Sequence, residues 1–392
     1  MYQYYMTTKD KVLEKLAAAG GKPVSGEALA SECNVSRAAI WKAVSALRDK
    51  GFSIEGTPNG GYVFSDADIC TPELFHNTFA REFPEYADCH TEWHKEIDST
   101  NTYAKRLLSE CGSLRAADGS LTPAGQKYHR AVIVAESQTA GRGRLGRTFI
   151  SPDKTGIYLS VIYAPEGGIT QPARITAFAA VAVCRAIKCL YGVEPSIKWI
   201  NDIFVENGGV RKKAVGILAE GVTNFETRQI ESAIIGIGIN IKPSKELVTG
   251  EMQNIAGFIA GADSKSSSAD AVGANIGNTA GSASANTTEA GVRAGTTEAG
   301  VSRCRFAAEV AGQVIRIYDE PTEKVMAEYK RLVFLIGQTL EVHPIIGDDK
   351  SVYSATAVDI DENAGLVVRL SDGTLRTLSS GEVTLKSASF TK

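Results

Sequence analysis

The strongest constraint on the fold is a set of apolar, β-branched segments of strand length in the middle of the chain. They read RAVIVAES, GIYLSVIYA, VGILAEGV and SAIIGIGINI. A further segment, ITAFAAVAVCRAIKCLYG, is apolar nearly all round a helix and therefore predicts a buried helix. Together these segments predict a mixed α and β domain from Trp93 to about Arg331.

Residues 8–64 predict a smaller unit in front of this domain. The apolar spacing from Val12 to Ala17 indicates a helix that ends at Gly20-Gly21. Ser25 and Ser36 stand where they would cap two more helices, GEALASEC and RAAIWKAVSALRDKG. FSIEGTPNGGYVF then predicts a two-stranded hairpin. Three helices followed by a hairpin are the plan of a winged helix-turn-helix.

The C-terminal segment alternates between apolar and polar residues and contains the turns DEN and SDG. It predicts an all-β barrel of about five strands. The expected domain organisation is a winged helix-turn-helix unit at 7–66, a linker at 67–92, a mixed α and β domain at 93–335 and a C-terminal domain at 336–389.

Two polar segments are predicted to lie outside any core. Of the 43 residues at 261–303, 29 are Gly, Ala, Ser or Thr, none is aromatic, and TTEAGV occurs twice. A segment with so little apolar surface cannot offset its ordering entropy, so it predicts a disordered insertion. Residues 112–129 are interpreted as a shorter insertion of the same kind.

Composition restricts the location and the partners. A net charge of −3 means that any nucleic-acid contact depends on a local basic patch. Seven cysteines without a C-x-x-C pair predict a reduced, intracellular protein with buried thiols, rather than a disulfide or zinc framework. The sequence has no apolar run of 18 residues, and MYQYYMTTKDK lacks an apolar signal core. These features predict a cytoplasmic protein with no membrane partner.

Three glycines and three arginines occur in the seven residues from Gly141 to Arg147. Residues 141–146 fit the pattern G-x-G-x-x-G of a dinucleotide-binding turn. Such a turn needs a helix directly after it, whereas TFISPDKTGIYLSVIY leads to another strand. A solvated basic loop is the simpler alternative. Because glycines separate the arginines, however, the backbone could approach a ligand while guanidinium groups supply charge. This spacing favours an anion-binding loop.

Two other segments contribute candidate site residues. In RKKAVGILAE, Arg211 and Lys212 are predicted in an exposed loop, whereas Lys213 directly precedes an apolar strand and could point into a pocket beside an anionic partner. In IDSTN, Ser99 to Asn101 begin a helix. Either a plain N-cap or hydrogen bonding to a neutral group such as a urea fits these three residues.

The motifs EIDSTN, AESQTAGRGRLGR, KWIND, RKKAVGILAE and IGIGINI occur in the order found in biotin protein ligases. With SRAAIWKAVSALRDKGF and NGGY in front of them, the chain resembles the bifunctional class that also represses the biotin operon. The resemblance covers nearly the whole chain apart from the two polar segments. It implies an α+β multidomain fold: an N-terminal winged helix-turn-helix, a central mixed α/β ligase domain like class II aminoacyl-tRNA synthetases, and a C-terminal SH3-like β-barrel.

The same resemblance implies an ATP-dependent activation of biotin to biotinyl-AMP, followed by transfer to a lysine of a biotin carboxyl-carrier domain. ATP with Mg²⁺ would be the co-substrate and biotin the substrate, with no tightly bound cofactor and no assigned metal ligands. Operator DNA would be a further partner. A homodimer is expected when biotinyl-AMP is bound.

The resemblance also assigns roles to residues at matching positions. The catalytic residues would be Lys213, Arg142 and Arg144. Biotin would be contacted by Ser99, Thr100, Asn101, Gln138, Gly141, Arg142, Gly143, Arg144, Lys213 and Gly216. The nucleotide would be contacted by Phe149, Asn201 and Asn240, and DNA by Ser36, Arg37, Trp41 and Lys42.

Three positions depart from the commoner family pattern. Ile200 replaces the usual proline of the KWPND motif, Phe149 stands where an adenine-stacking tryptophan is common, and Leu145 occupies a position that is often basic. Phenylalanine keeps an aromatic face for the nucleotide. Leucine removes one charge, which would weaken loop closure or dimer coupling.

Three alternatives to a bifunctional ligase and repressor stay open. One is a biotin-sensing repressor without catalysis, which the retention of Lys213 and the loop arginines disfavours. Another is a ligase whose N-terminal unit no longer binds DNA; Arg37 and Lys42 argue for binding, while Trp41 could equally belong to the core. A lipoyl ligase is disfavoured by GRGRLGR and by the N-terminal unit.

Overall fold

The computed structural model describes residues 7–19, 21–49, 52, 54–57, 60–64, 70–224, 228–250, 252–263, 301–343, 351–379 and 381–385. The sequence-predicted hairpin turn at 58–59 and the greater part of the 261–303 segment lie outside these residues.

The N-terminal unit has the predicted three helices and hairpin. Its elements are α1 (Thr8–Ala18), α2 (Gly26–Cys33), α3 (Arg37–Asp49), β1 (Ile54–Thr57) and β2 (Gly61–Phe64). Ser25 accepts a hydrogen bond from the backbone N–H of Ala28, and Ser36 accepts one from Ala39, so both predicted caps are confirmed. Leu16, Ile40 and Val44 are buried between the helices, which explains the apolar spacing of the sequence.

The central domain is a seven-stranded sheet with helices on both faces. Its helices are α4 (Pro72–Glu82), α5 (Thr100–Cys111), α6 (Pro123–Tyr128), α7 (Pro172–Tyr191), α8 (Met252–Ile255), α9 (Arg303–Ile317) and α10 (Thr322–Leu332). Its strands are β3 (Thr91–Ile97), β4 (Val132–Gln138), β5 (Gly156–Tyr163), β6 (Ser196–Lys198), β7 (Asp202–Asn207), β8 (Val210–Thr223) and β9 (Ile230–Asn240). The strand order is β3-β4-β5-β9-β8-β7-β6, and only β3 and β4 pair in parallel.

The apolar runs of the sequence form the middle of this sheet. β4, β5, β8 and β9 and the buried helix α7 are confirmed. α7 and α9 cover one face of the sheet, whereas α5 packs on the other face against Ile133, Ile162 and Ile234. A site beside α5 is therefore held by strands that are buried on both faces.

The C-terminal residues form a five-stranded antiparallel sheet. Its strands are β10 (Thr339–His343), β11 (Tyr353–Ile360), β12 (Leu366–Arg369), β13 (Leu375–Leu378) and β14 (Glu382–Leu385). The order is β13-β12-β11-β10-β14, so the last strand returns to pair with the first. The number of strands agrees with the sequence prediction.

The predicted linker at 67–92 is wrong for its described part. Thr71 caps α4 and Pro72 occupies its first turn. Phe75 and Phe79 of this helix are fully buried, and Phe75 packs against Trp93 at 5.5 Å between ring centroids. The i, i+4 spacing of these two phenylalanines was the sequence signal for a packed helix.

The predicted insertion at 112–129 is also wrong. Leu114 is buried in the apolar cluster beneath α5, and Thr122 caps α6. Glu231 of β9 accepts hydrogen bonds from the backbone N–H groups of Leu114 and Arg115 and from the hydroxyl of Ser113. One buried leucine and a carboxylate from a distant strand fix a segment whose composition alone indicates a polar loop.

Two residues near the ends of the 261–303 segment belong to the folded domain. The carboxylate of Asp263 accepts hydrogen bonds from the backbone N–H groups of Gly208 and Gly209. Arg303 is the first residue of α9 and is 2% exposed. Its Nη2 lies 3.8 Å from Glu136 Oε1. The described ends of the predicted insertion, 261–263 and 301–303, therefore belong to the folded domain.

The expectation of seven reduced cysteines is wrong for one pair. Cys70 and Cys304 form a disulfide across 234 residues of sequence. Spacing could not reveal this pair, because the packing of α4 against α9 brings the two residues together.

Candidate functional site

A cavity of about 510 Å³ opens beside the start of α5, between the ends of the central strands and the 141–147 loop. Every catalytic, biotin and nucleotide residue predicted from the sequence lines it, except Gly141. Those residues are Ser99, Thr100, Asn101, Gln138, Arg142, Gly143, Arg144, Phe149, Asn201, Lys213, Gly216 and Asn240. Segments separated by as many as 140 residues thus meet at one place.

The start of α5 presents polar groups to the cavity. Ser99 occupies the N-cap position, but its side chain makes no capping hydrogen bond, so a plain N-cap does not account for it. The amide oxygen of Gln138 accepts hydrogen bonds from the backbone N–H of Thr100 at 2.9 Å and from its hydroxyl at 3.4 Å. Gln138 in turn donates to Ser151 Oγ at 2.8 Å. This network fixes the polar end of the cavity.

Asn101 lines the cavity, but its amide is engaged by the protein. Its Nδ2 donates to the carbonyl oxygen of Leu218 at 3.1 Å and to Glu220 Oε2 at 2.8 Å. Its Oδ1 accepts from Ser160 Oγ at 2.7 Å. Asn101 therefore ties α5 to β5 and β8.

The sequence predicts that a strand, and not a helix, follows the 141–147 loop, and the structure confirms this. Gly143 N–H donates to the carbonyl oxygen of Arg147, and one short 3₁₀ turn spans Arg144–Gly146. The backbone then passes to β5. Gly141 is required by close approach, because a Cβ there would lie 2.3 Å from the carbonyl oxygen of Phe149.

The loop arginines have partners within the protein. Arg144 donates to Asn201 Oδ1 at 2.8 Å and to the carbonyl oxygen of Gly381, directly before β14 of the C-terminal sheet, at 3.4 Å. Arg142 Nη2 lies 3.7 Å from Glu220 Oε1. The sequence predicts an anion-binding loop but does not indicate these contacts within the protein.

Lys213 points into the cavity beside an anion, as predicted, but its place in the strand differs. β8 begins at Val210, so Lys213 lies within the strand instead of before it. Its Nζ pairs with Asp202 Oδ1 at 2.7 Å. A bulge opposite Ile203 and Phe204 disturbs the strand register here, and such irregularities redirect side chains next to sites.

Arg211 and Lys212 are also strand residues, so the predicted exposed loop is wrong. Arg211 lies over the ring of Phe334, with 5.0 Å from Cζ to the ring centroid, and lines the cavity. Lys212 donates to the carbonyl oxygen of Gln253 at 2.9 Å. β7 pairs with this part of β8 in a tight hairpin, which composition alone did not indicate.

The ring of Phe149 lies over two glycines of the sheet. A Cβ at Gly238 would be 2.4 Å from the ring, and one at Gly216 would be 3.2 Å from it. Because neither glycine has a side chain, the Phe149 ring fits against the sheet and forms part of the cavity wall.

Asn201 and Asn240 are buried at 9% and 6% exposure. Asn201 Nδ2 donates to the carbonyl oxygen of Ile217, which leaves its Oδ1 for Arg144. Asn240 Oδ1 has no hydrogen-bond partner among the described residues. A buried, unsatisfied acceptor facing a cavity calls for a donor from a ligand or water.

Sequence reasoning missed two parts of the site. Leu247, Met252 and Ile255 form an apolar wall, and this segment joins β8 through a hydrogen bond from Gly257 N–H to the Lys213 carbonyl. Asp202 and Glu220 provide the counter-charges. The aspartate was visible as the last letter of KWIND, whereas the wall had no signal beyond a few apolar residues after β9.

A second cavity of about 400 Å³ adjoins the first and lies between the seven-stranded and the five-stranded sheets. Arg144, Arg147 and Lys198 line both cavities. Glu341, His343 and Thr384 contribute from the C-terminal sheet. The two cavities therefore share part of their walls.

The N-terminal unit exposes a basic and aromatic helix face. Arg37, Trp41 and Lys42 of α3 are exposed, and Trp41 is 61% exposed, so it does not belong to the core. The Ser36 hydroxyl caps α3 by accepting a hydrogen bond from the backbone N–H of Ala39. Arg48, at the end of the same helix, donates from Nε to the carbonyl oxygen of Ile54 and so supports the hairpin.

Two kinds of feature are absent from the described residues. No helix there has the length and apolarity needed to cross a membrane. No cluster of three or more His, Cys, Asp or Glu side chains in those same ranges could hold a metal ion.

Comparisons with known proteins agree with this arrangement. Residues 95–240 match the biotin/lipoate A/B protein ligase family, residues 8–63 match an HTH domain, and residues 342–386 match the biotin protein ligase C-terminal domain. The chain is 31% identical over 252 residues to the bifunctional ligase/repressor BirA of Bacillus subtilis, covering 64% of this chain and 70% of the relative. For BirA of Escherichia coli the identity is 30% over 224 residues, covering 57% and 61%.

A solved structure shares the fold. The mutant biotin protein ligase from Aquifex aeolicus in complex with biotin is 19% identical, with a TM-score of 0.50, and the match covers 76% of this chain and 99% of that one.

Proposed function

This chain belongs to the biotin protein ligase family, and we propose from that premise that it activates biotin with ATP and transfers it to a protein lysine. One biotin carboxylate oxygen attacks the α-phosphorus of ATP, and pyrophosphate leaves. The lysine amine then attacks the carbonyl carbon of biotinyl-AMP, forming an amide and releasing AMP. The carrier of that lysine would be a biotin carboxyl-carrier domain.

The observation that supports this chemistry most directly is the convergence of three cations on one cavity. Lys213 of β8 and the two arginines of the 141–147 loop, Arg142 and Arg144, line the same space. Two anions must approach each other in the first step, so fixed positive charge lowers the barrier. Asp202 holds Lys213 in place, and the wall formed by Leu247 and Ile255 would exclude water from the mixed anhydride.

The two ends of the cavity suggest how the substrates are oriented. Ser99, Thr100 and Gln138 form a neutral polar end that suits the ureido ring of biotin. The buried acceptor of Asn240 and the ring of Phe149 suit the adenine, through a hydrogen bond from its amino group and through stacking. Lys213 would lie where the biotin carboxylate meets the α-phosphate.

Mg²⁺ would accompany the phosphates of ATP. Asp202 is the acidic side chain that lines the cavity within the described ranges. One carboxylate together with substrate phosphates is a common way to hold this ion, so the residues present fit it. Bound there, Mg²⁺ would neutralise phosphate charge.

The N-terminal unit would make the protein a transcriptional repressor of biotin genes when biotinyl-AMP is bound. Exposed Arg37, Trp41 and Lys42 on α3 favour DNA binding over an inert N-terminal unit. We propose a homodimer as the DNA-binding form, since paired reading helices recognise two half-sites. An enzyme that uses ATP and reads DNA would act in the cytoplasm.

We propose functional units at 7–66, 70–335 and 336–389, with the second extended to include α4. The central unit would be of the class II aminoacyl-tRNA synthetase type. The return of β14 to β10 favours an SH3-like barrel for the last unit.

The decisive experiment is labelling of a purified carrier domain by biotin and ATP. Labelling should require both compounds and the acceptor lysine, and lipoate should not replace biotin. A carrier labelled equally well with lipoate would favour the lipoyl ligase alternative, and no adenylate at all would favour a non-catalytic sensor.

A further inference from the structure

Glu220 of β8 is a carboxylate beside the cavity that the proposed chemistry leaves without a role. Its Oε1 accepts a hydrogen bond from Lys105 Nζ at 2.7 Å, and its Oε2 accepts one from Asn101 Nδ2 at 2.8 Å. Asn101 and Lys105 are i and i+4 on α5, so one helix face holds both carboxylate oxygens. Glu220 is therefore fixed by groups outside the 141–147 loop.

Burial opposes the ionisation of Glu220, but the hydrogen bonds from Lys105 and Asn101 outweigh it and lower its pKa. The carboxylate is thus anionic at neutral pH. Arg142, whose side chain is 48% exposed, approaches it to 3.7 Å. A fixed anion and a half-exposed cation on a glycine-rich loop form an asymmetric pair, in which the anion determines where the cation rests.

Arg142 and Arg144 anchor the loop to different parts of the protein. Arg142 reaches Glu220 near α5, whereas Arg144 reaches Asn201 and the C-terminal sheet. Loss of either contact would release one side of the loop.

We propose that Glu220 is a positioning residue that holds the Arg142 guanidinium over the cavity. The loop then loses less conformational entropy when it orders around biotin. This inference rests on the proposed function for its kinetic consequence, and on the structure alone for the contact. The loss of a partly exposed ion pair corresponds to about a two- to fivefold effect. The effect should fall on the KM for biotin, with kcat nearly unchanged, because Glu220 does not touch the reacting atoms.

A double-mutant cycle tests this role with Glu220→Gln, Arg142→Gln and the combined variant, measured by biotin-dependent pyrophosphate release. Glu220→Gln should raise the KM for biotin about two- to fivefold in the wild-type background and should have no effect when Arg142 is already glutamine. A purely structural role through Asn101 would give the same change in both backgrounds, and that result would overturn the proposal.

Glu231→Gln is the matched control, because Glu231 is also a strand carboxylate with a lowered pKa but binds the Ser113–Arg115 segment away from the cavity. It should leave the KM for biotin unchanged. A rise equal to that of Glu220→Gln would contradict a specific role for Glu220.

Trypsin gives a readout that does not depend on catalysis. Cleavage after Arg142 should be about two- to fivefold faster in Glu220→Gln than in wild type, and unchanged in Glu231→Gln. Equal cleavage rates in Glu220→Gln and wild type, in a protein that still makes biotinyl-AMP, would reject the positioning role and leave the proposed function standing. Faster cleavage in a protein that makes no biotinyl-AMP would reject the proposed function and leave the contact supported.

If Glu220→Gln does not fold, the wild-type protein supplies the comparison. Salt screens a half-exposed pair, so hydrogen exchange of the backbone amides at 142–148 should be faster at about 1 M salt than at about 0.05 M. Equal exchange at both concentrations would overturn the proposal.

Discussion

Arg144 and Asn201 are 57 residues apart in the sequence and are joined by a hydrogen bond of 2.8 Å from the guanidinium to the asparagine Oδ1. The contact links the glycine- and arginine-rich loop to the turn between β6 and β7. Because Arg144 also reaches the Gly381 carbonyl, one side chain connects the loop, the central sheet and the C-terminal sheet.

Arg144→Gly should let biotinyl-AMP escape from the site. The substitution removes the loop's anchor at Asn201 and adds a fourth glycine to the loop, so closure over the mixed anhydride becomes costly. Released adenylate should label lysines of an unrelated protein, which an avidin blot detects. Strict labelling of the carrier alone would show that Arg144 does not retain the intermediate.

Lys213→Ala should lower the rate of biotinyl-AMP formation by about 10²–10³, because it removes the cation between two reacting anions. Lys212→Ala is the matched control, since Lys212 is adjacent on β8 but does not line the cavity and bonds the Gln253 carbonyl behind its wall. Pyrophosphate release within a few-fold of wild type for Lys213→Ala would refute the assignment.

The N-terminal unit should bind a near-palindromic operator as part of a dimer, in the presence of biotin and ATP. Half-sites should be separated by about one helical turn or a multiple of it. Arg37→Ala and Lys42→Ala should weaken binding and reduce its salt dependence, because fewer counterions are released. Lys15→Ala, which removes an ion pair with Glu32, should have little effect. No preference for its own promoter over random DNA would count against repression.

Replacing residues 264–300 with a short Gly-Ser linker should leave ligase activity and Tm nearly unchanged. The composition of this segment offers little apolar surface, and a flexible connection tolerates changes in length. The exchange retains Asp263 and Arg303, whose contacts belong to the domain. A fall of several degrees in Tm would reveal packing by the replaced residues.

Leu114→Ala should lower the free energy of unfolding by about 2–5 kcal/mol, because Leu114 is 2% exposed and its removal leaves a cavity beneath α5. Leu375→Ala, at a position that is 59% exposed, should change it by less than about 0.5 kcal/mol. Denaturant unfolding measures both. A loss as small for Leu114 as for Leu375 would restore the interpretation of 112–129 as an insertion outside the core.

The sequence alone determined the elements whose signals are local. Helix caps at Ser25 and Ser36, the apolar strands β4, β5, β8 and β9, and the buried helix α7 each follow from side-chain period or from a single hydrogen bond near in sequence. The motifs also predicted most of the side chains that meet in the cavity, because a motif is defined by residue types and their order along the chain, both of which the sequence shows directly.

Only the tertiary structure decided which groups neutralise those side chains. Asp202 beside Lys213, Glu220 beside Arg142 and Asn201 beside Arg144 come from different strands and loops, so no spacing in the sequence predicts them. The same holds for the Cys70–Cys304 disulfide and for the burial of Leu114, which depend on helices and strands distant in the chain. Periodicity reports which face of an element is apolar, whereas partners are chosen when the faces pack together.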